Sequence, residues 1–511
     1  MSATPGRDHG LVDLAIIGGG INGAGIARDA AGRGLKVLLC EKGDFAEGTS
    51  SRSGKLVHGG LRYLEYYEFR LVREALIERE VLLASAPHII WPMRFVLPHS
   101  PEQRPAWLVR TGLFFYDHLG GRKRLPASRG LDFAKAPEGE PLKSEFRRGF
   151  EYSDCWVDDA RLVILNLIGA AEQGAAILPR TRAVSARREG EGWLLEMVGE
   201  DGRPQVVRAR ALVNAAGPWV QDVVQGVTRL NSSHNVRLVK GSHIVVPKFW
   251  SGPQAYLLQN SDRRVIFVNP YEDDLALIGT TDIPYEGRAE DVAIDGGEIA
   301  YLLGVLARYF RNAPTAGDVV HAFSGVRPLY DDNAENPSAV TRDYVFEVHG
   351  TAAEPPLLSI FGGKITTYRR LAEQALERLQ PWFPNMSAAW TAGQTLPGGD
   401  VGASFEEFVT ALAVDHPGLP RDLVQHYARL YGTRARDLLR AARSPSDLGR
   451  HFGGQLFERE VAYLRETEWA MTTADILERR TKHGLHLTAA QRAAFEDFIG
   501  GRETRAGPRI A

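Results

Sequence analysis

Apolar residues fall into short runs and helical stripes separated by glycine and polar turns. The first run, Leu14-Ala15-Ile16-Ile17, stops at Gly18-Gly19-Gly20; a helical pattern follows from Ile21 to Ala31, and Gly32 to Gly34 end it. A second run, Val37-Leu38-Leu39-Cys40, closes on Glu41. Strand, glycine turn, helix, strand and terminal acid make a dinucleotide-binding unit, with Gly18, Gly20 and Gly23 in the G-x-G-x-x-G places. Gly18 permits the tight turn, Gly20 lets the backbone approach a pyrophosphate, and Gly23 lets the helix pack closely on the strand. The helix start offers N–H groups and the positive end of its dipole to phosphates. Glu41 lies where a carboxylate can accept bonds from a ribose hydroxyl.

Further along, Glu65 to Ala86 has helical spacing and ends at Pro87, and a proline-rich stretch follows to Pro105. Trp107 to Tyr116 is strongly apolar and aromatic, flanked by Arg94, Arg104, Arg110 and the cluster Arg122-Lys123-Arg124. Two readings stand: a core helix beside a basic turn, or an in-plane membrane helix with cations on headgroups. Leu162 to Gln173 predicts a helix; Ala176–Leu178, Trp193–Val198 and Ala209–Asn214 predict strands. From Gly241 the texture turns to β. His243–Val246, Ala255–Leu258, Arg264–Val268 and Leu275–Ile278 predict an antiparallel sheet, followed by a helix over Glu298 to Phe310. After Pro397-Gly398-Gly399 the pattern is helical, with capping boxes at Ser404/Glu407 and Thr488/Gln491.

At 511 residues the chain is long enough for two to four domains of roughly 150 residues each. A formal net charge of −2 gives no global field for nucleic acid or anionic lipid. Two isolated cysteines, Cys40 and Cys155, argue against zinc, iron–sulfur clusters and a disulfide framework, and no metal is expected. They suit a reducing compartment. There is no apolar signal core, and no run approaches the roughly 20 apolar residues of a spanning helix. The expectation is a cytoplasmic protein that at most lies on a membrane.

Four loops bear glycines and hydroxyls beside predicted strands. Gly43 to Lys55 leaves the second strand next to the nucleotide crevice, where Thr49, Ser50, Ser51 and Lys55 can reach a phosphate or an isoalloxazine ring. Gly59-Gly60 implies backbone close to a ligand, as do Gly217 after Ala209–Asn214 and Gly362 to Thr366 after Leu357–Phe361. Such turns hundreds of residues apart suggest a cofactor wrapped by separated segments. Arg62, Arg327, Arg342 and Lys364 fall in or beside glycine-marked or strand-end loops, with His243 on the β segment. Singly, each arginine reads as a solvated surface residue. Gathered at one crevice they require an anion, such as a phosphorylated or carboxylated substrate. Spacing alone does not establish that they converge.

Several long segments resemble FAD-dependent glycerol-3-phosphate dehydrogenase, the respiratory, membrane-associated family. They are Gly18 to Ala27, Thr49-Ser50-Ser51, Lys55 to Leu64, Glu151 to Arg161, Lys240 to Pro247, Ser324 to Pro328, Thr341 to Tyr344 and Phe361 to Lys364. The resemblance spans nearly the whole chain. It implies an α/β fold: a Rossmann-like, glycine-oxidase-type FAD-binding domain, an inserted antiparallel-sheet substrate domain and an all-α C-terminal domain. The expected FAD-binding segments are about 10–90, 155–240 and 320–390, the substrate-binding segments about 91–154 and 241–319, and the helical domain 391–511.

Carried over by position, Glu41, Thr49–Ser51, Lys55, Gly59, Gly60, Gly217, Gly362 and Thr366 would hold FAD. Arg62, Tyr63, His243, Arg327, Arg342 and Lys364 would line the substrate pocket. Gly54 departs from the pattern, since similar sequences usually carry serine there, and it stays outside the implied site. The implied reaction oxidises sn-glycerol 3-phosphate to dihydroxyacetone phosphate, with electrons passing to ubiquinone at the cytoplasmic membrane surface and a homodimer as the assembly. His243 is the preferred base because imidazole titrates near working pH, although a histidine on a strand is also commonly structural. An oxidase reducing O₂, an NAD-dependent dehydrogenase and a membrane-docking flavin sensor are the alternatives.

Overall fold

The computed structural model describes residues 6–503 except 263, 332–342 and 352; Arg342 therefore lies outside the described residues. Strand β1 (Arg7–Ile17) enters a sheet between two parallel neighbours, β2 (Val37–Cys40) and the strand Pro204–Asn214. Leu14, Ala15 and Ile16 are fully buried because helices and sheet cover both faces, which is why the run is continuously apolar. The register pairs Ile17 with both Cys40 and Asn214, and Asn214 with Ser359 of the strand Leu357–Gly362. All four strands therefore end along one edge. Gly18–Gly20, Glu41, Ala215–Gly217 and Gly362 meet there although the chain separates them widely, and this edge is where open α/β sheets bind ligands. Helix α1 (Ile21–Gly32) follows the first turn and packs on α4 (Asp159–Glu172) and the helix Tyr368–Leu379.

A second sheet is mixed but mainly antiparallel. Its order runs from Ile283–Pro284 through Val236–Pro247, Leu275–Gly279, Val265–Tyr271, Ala255–Gln259, Ile90–His99 and Arg148–Val157 to Leu56–Val57. Val236–Pro247 also pairs with His321–Tyr330 over ten positions. Side chains alternate between faces. Ile244 and Val246 meet the helix Gly296–Tyr309 on one side, and Val245 meets the cluster of α2 (Phe69–Ser85) and α3 (Ala106–Leu119) on the other. The proline-rich stretch after Pro87 forms the strand Ile90–His99. Pro92 and Pro98 are tolerated because pairing toward Ala255–Gln259 occurs only at Phe95 and Val96. The segment Gly48–Lys55 links the two sheets, since Leu56–Val57 is already an edge of the second.

Helix α3 is buried on one face only. Leu113 and Tyr116 are buried against α2, while Trp107, Phe114 and Phe115 are exposed. No helix among the described residues is long and apolar enough to cross a membrane.

Residues 401–499 build their own core, including Phe408, Leu412, Tyr427, Val461, Leu464 and Phe495. The part is helical, with one two-stranded hairpin at His451–Gly453 and Leu456–Phe457. Ser404 caps the helix Phe405–Asp415 by accepting the Glu407 N–H, and Thr488 and Gln491 cap reciprocally. Buried ion pairs seat this part on the rest. Arg161 of α4 pairs bidentately with Glu468, both fully buried, Arg480 holds Asp44 at 2.6 and 2.8 Å, and Lys482 reaches Asp158.

Candidate active site

The glycine turn is closed to side chains. Gly18 has φ +114°, and a β-carbon there would press on the Ala215 carbonyl at 2.5 Å; one at Gly23 would collide with the Gly18 carbonyl. Gly20 stands at the N-cap of α1 without a side-chain cap, so the first turn keeps N–H groups for a ligand. Asn22, also in that turn, donates to the Gly362 carbonyl at 3.3 Å, while its buried Oδ1 has no partner among the described residues. Glu41 is held by the Gly19 and Gly43 N–H groups at 2.7 and 2.9 Å, and burial raises its pKa against those two bonds.

Several hydroxyls expected on the cofactor serve the protein itself. Thr49 Oγ1 donates to the Val326 carbonyl at 2.7 Å, and Ser50 Oγ accepts the Ile21 N–H at 3.0 Å. Thr366 Oγ1 accepts the His58 N–H at 3.2 Å, and the Gly59 N–H donates to Asp154. Lys55 is buried; its Nζ reaches Asp159 at 2.7 Å and the Ser51 carbonyl at 3.2 Å. Gly60 has φ +75° and lies against the Tyr63 ring. Gly217 has φ +57° with open space around its β-carbon position, and Gly362 has φ +84° at the strand end. These residues thus shape a cradle in which backbone carries much of the lining. Asn22 and Asp159 were not singled out from sequence. Asn22 occupies a variable place of the glycine motif, and Asp159 stands just ahead of the helix predicted from Leu162, within the resembling segment Glu151 to Arg161.

Basic side chains and two deep-set imidazoles lie beside the cradle. His243 is buried, stacked on Phe323 with ring centroids 5.0 Å apart, and its Nδ1 has no partner among the described residues. Burial, then the charges of Arg327 and Lys55, push its pKa down to about 3. The ring is therefore a neutral base at working pH and does not titrate there, which corrects the reason for preferring it. Arg327 pairs with Asp282 and donates to Thr280 Oγ1 at 2.8 Å. Lys364 Nζ lies 3.9 Å over the Tyr63 ring. His58 is half-buried by surface exposure yet sits deep in the molecule. Burial, then Lys364, Arg79 and Arg327, lower its pKa to about 3. Lys364 and Arg327 thus bear on one imidazole, and Arg327 and Lys55 on another. Arg62 bonds only weakly within its own turn, to the Tyr66 hydroxyl at 3.5 Å. A β-carbon at Gly54 would stand 3.6 Å from His243 Nε2. Asn269 donates to the Gly54 carbonyl at 3.3 Å and leaves its own Oδ1 without a partner among the described residues.

Residues 13–369 match the model of the FAD dependent oxidoreductase family, and residues 389–499 match the C-terminal domain of alpha-glycerophosphate oxidase. The chain belongs to the FAD-dependent oxidoreductase family that includes glycerol-3-phosphate dehydrogenase. It is 65% identical over 489 residues to D-erythritol 1-phosphate dehydrogenase of Brucella abortus, covering 95% of this chain and 97% of that one. It is 56% identical over 489 residues to glycerol-3-phosphate dehydrogenase of Pseudomonas aeruginosa, covering 96% and 95%. Among solved structures, the glycerol-3-phosphate dehydrogenase of Bacillus halodurans complexed with FAD matches with a TM-score of 0.73 at 26% identity, covering 98% of this chain and 96% of that one.

FAD is the cofactor of this family member, and the cradle fits it. Beyond the Ile21 N–H, which Ser50 takes, the first turn of α1 offers N–H donors, the orphaned Asn22 Oδ1 offers an acceptor, and the glycines leave room for close backbone approach.

Proposed function

We propose that this enzyme oxidises a secondary hydroxyl of a short polyol phosphate to a ketone. The observation that carries the reading is that Arg327 bears on two deep-set neutral histidines beside the flavin cradle, together with Lys55 on His243 and with Lys364 on His58. Arg327 and Lys364, with Arg342 as a third cation by resemblance, would clamp the phosphate. His243 would take the hydroxyl proton on an unprotonated imidazole nitrogen; with its pKa pushed down to about 3 it is a weak acceptor alone, so the substrate's own anionic phosphate would have to offset Arg327 and Lys55 and raise its basicity. Tyr63 would hold Lys364 in place through its ring face, and Arg62 would serve at the rim. Bound FAD supplies the acceptor for the hydride leaving the same carbon and, once reduced, the electrons for a quinone.

Two substrates are in view. D-erythritol 1-phosphate is favoured by the 65% identical relative, and Gly54, where a β-carbon would lie in van der Waals contact with His243 Nε2 at 3.6 Å, is the position where added side-chain bulk would first be felt. Glycerol 3-phosphate, giving dihydroxyacetone phosphate, is the second reading, favoured by the 56% identical relative. Ubiquinone is the proposed acceptor and the cytoplasmic membrane surface the proposed location; the exposed apolar face of α3 supports the membrane contact.

Anaerobic mixing of the purified holoenzyme with each polyol phosphate tests the reading. Both should bleach the flavin absorbance, the four-carbon substrate with kcat/KM about tenfold higher or more. A flavin that neither compound reduces removes the proposal, and a preference for the three-carbon compound restores the second reading. Peroxide formation in air outpacing quinone reduction would reassign the acceptor to O₂.

A further inference from the structure

Away from the flavin cradle, three helical segments of the C-terminal part bring His426, Glu460 and His483 together. His426 lies on the helix Arg421–Tyr431, Glu460 on Glu458–Thr467, and His483 opens the turn His483–Leu485. One donor atom from each lies within 4.8 Å of the other two. His426 Nε2 is 3.5 Å from Glu460 Oε1, His483 Nε2 is 3.9 Å from Glu460 Oε2, and the two imidazole rings are 4.7 Å apart. Glu460 is fully buried and His483 is 3% exposed. His426 Nε2, Glu460 Oε2 and both ring nitrogens of His483 have no hydrogen-bond partner among the described residues.

Buried polar atoms without partners are costly, and here several face one another. We propose that these three side chains form a structural zinc site. Two imidazoles and a carboxylate are a donor set that suits Zn²⁺ with water in the fourth position, a coordination commoner in catalytic zinc sites; here the burial of the ligands and their distance from the flavin cradle assign the ion a structural role. Bonds of about 2.0–2.2 Å in tetrahedral geometry put ligand atoms roughly 3.3–3.5 Å apart, so side-chain shifts of about 1 Å complete the site. An orienting contact already exists, because the Tyr431 hydroxyl donates to Glu460 Oε1 at 2.7 Å. Arg161, stacked on Tyr431, is neutralised by Glu468 and leaves the carboxylate of Glu460 for the ion. The three ligands are far apart in sequence and belong to no compact motif, so cysteine counting could not reveal them.

The ion would pin three segments of the helical part to one another near its seat on the second sheet, where His486 pairs with Glu272. It would take no part in the flavin chemistry.

The test uses tag-free holoenzyme stripped with a chelator, then titrated with Zn²⁺ or with Co²⁺ as a coloured probe. Wild type should bind one ion per chain, show the intense visible bands of four-coordinate Co²⁺ and gain thermal stability on loading. His426→Gln and Glu460→Gln should each weaken binding by more than about 100-fold while keeping flavin content and basal turnover. Tyr431→Phe should weaken it by about 10–100-fold. Wild type that binds no ion, or binds it equally in both ligand variants, overturns the proposal. If a variant fails to fold, the stripped and reloaded wild type decides alone. Identical melting with and without metal then rejects a structural ion.

Discussion

Lys55 Nζ and Asp159 Oδ1 form a buried ion pair at 2.7 Å, joining the loop beside the flavin cradle to the first residue of α4. Asp159 Oδ2 also accepts the Ser53 hydroxyl at 2.7 Å, so one carboxylate organises the end of that loop. Asp159→Asn would leave a buried ammonium without its counter-charge. The expected cost is about 3–5 kcal/mol of stability, together with weaker FAD retention. Thermal melting and flavin content after gel filtration check this; a variant that keeps both would show that the pair does not hold the loop.

Gly54→Ser would place a side chain beside His243 Nε2. The expected outcome is a fall in kcat/KM of about 10–200-fold for D-erythritol 1-phosphate, with a much smaller change for glycerol 3-phosphate. Equal losses on both substrates would mean that this position does not sort them by size.

His88 is fully buried, and neither ring nitrogen has a partner among the described residues. Burial, then Arg161 and Arg429, push its pKa from 6.5 down to about 3. Between those values the unfolded chain binds a proton that the folded chain refuses, so stability falls as pH drops below about 6.5. The slope from this one residue is at most about 1.4 kcal/mol per pH unit. His88→Leu should flatten the stability profile from pH 6.5 toward 5 by about that amount. Parallel denaturation profiles of variant and wild type would contradict it.

Trp107, Phe114 and Phe115 project from α3 into solvent. Replacing all three by serine should lower co-flotation with phospholipid vesicles by about tenfold or more, leaving flavin content and turnover with a soluble quinone intact. Undiminished flotation would remove α3 from the membrane contact. A charge reversal of Arg122, Lys123 and Arg124 then asks separately whether headgroup attraction contributes.

Short-range physics made much of this protein legible from its residues alone. Apolar runs, glycine turns and capping residues act over a few positions, so the strand–turn–helix at Leu14–Ala31, the antiparallel strands after Gly241 and the helical C-terminal part could be read directly. The glycine unit by itself indicated a dinucleotide, and the FAD-binding fold class followed from the family resemblance carried by motifs spread along the chain. Tertiary structure alone decided how the side chains are used. Thr49 and Ser50 spend their hydrogen bonds on Val326 and Ile21, Asp159 holds Lys55, and His243 is neutral because of burial and two cations. His426, Glu460 and His483 meet only because helices distant in sequence pack together. Partners, burial and local charge depend on what folding brings near, and one chain's residue spacing carries no record of that proximity.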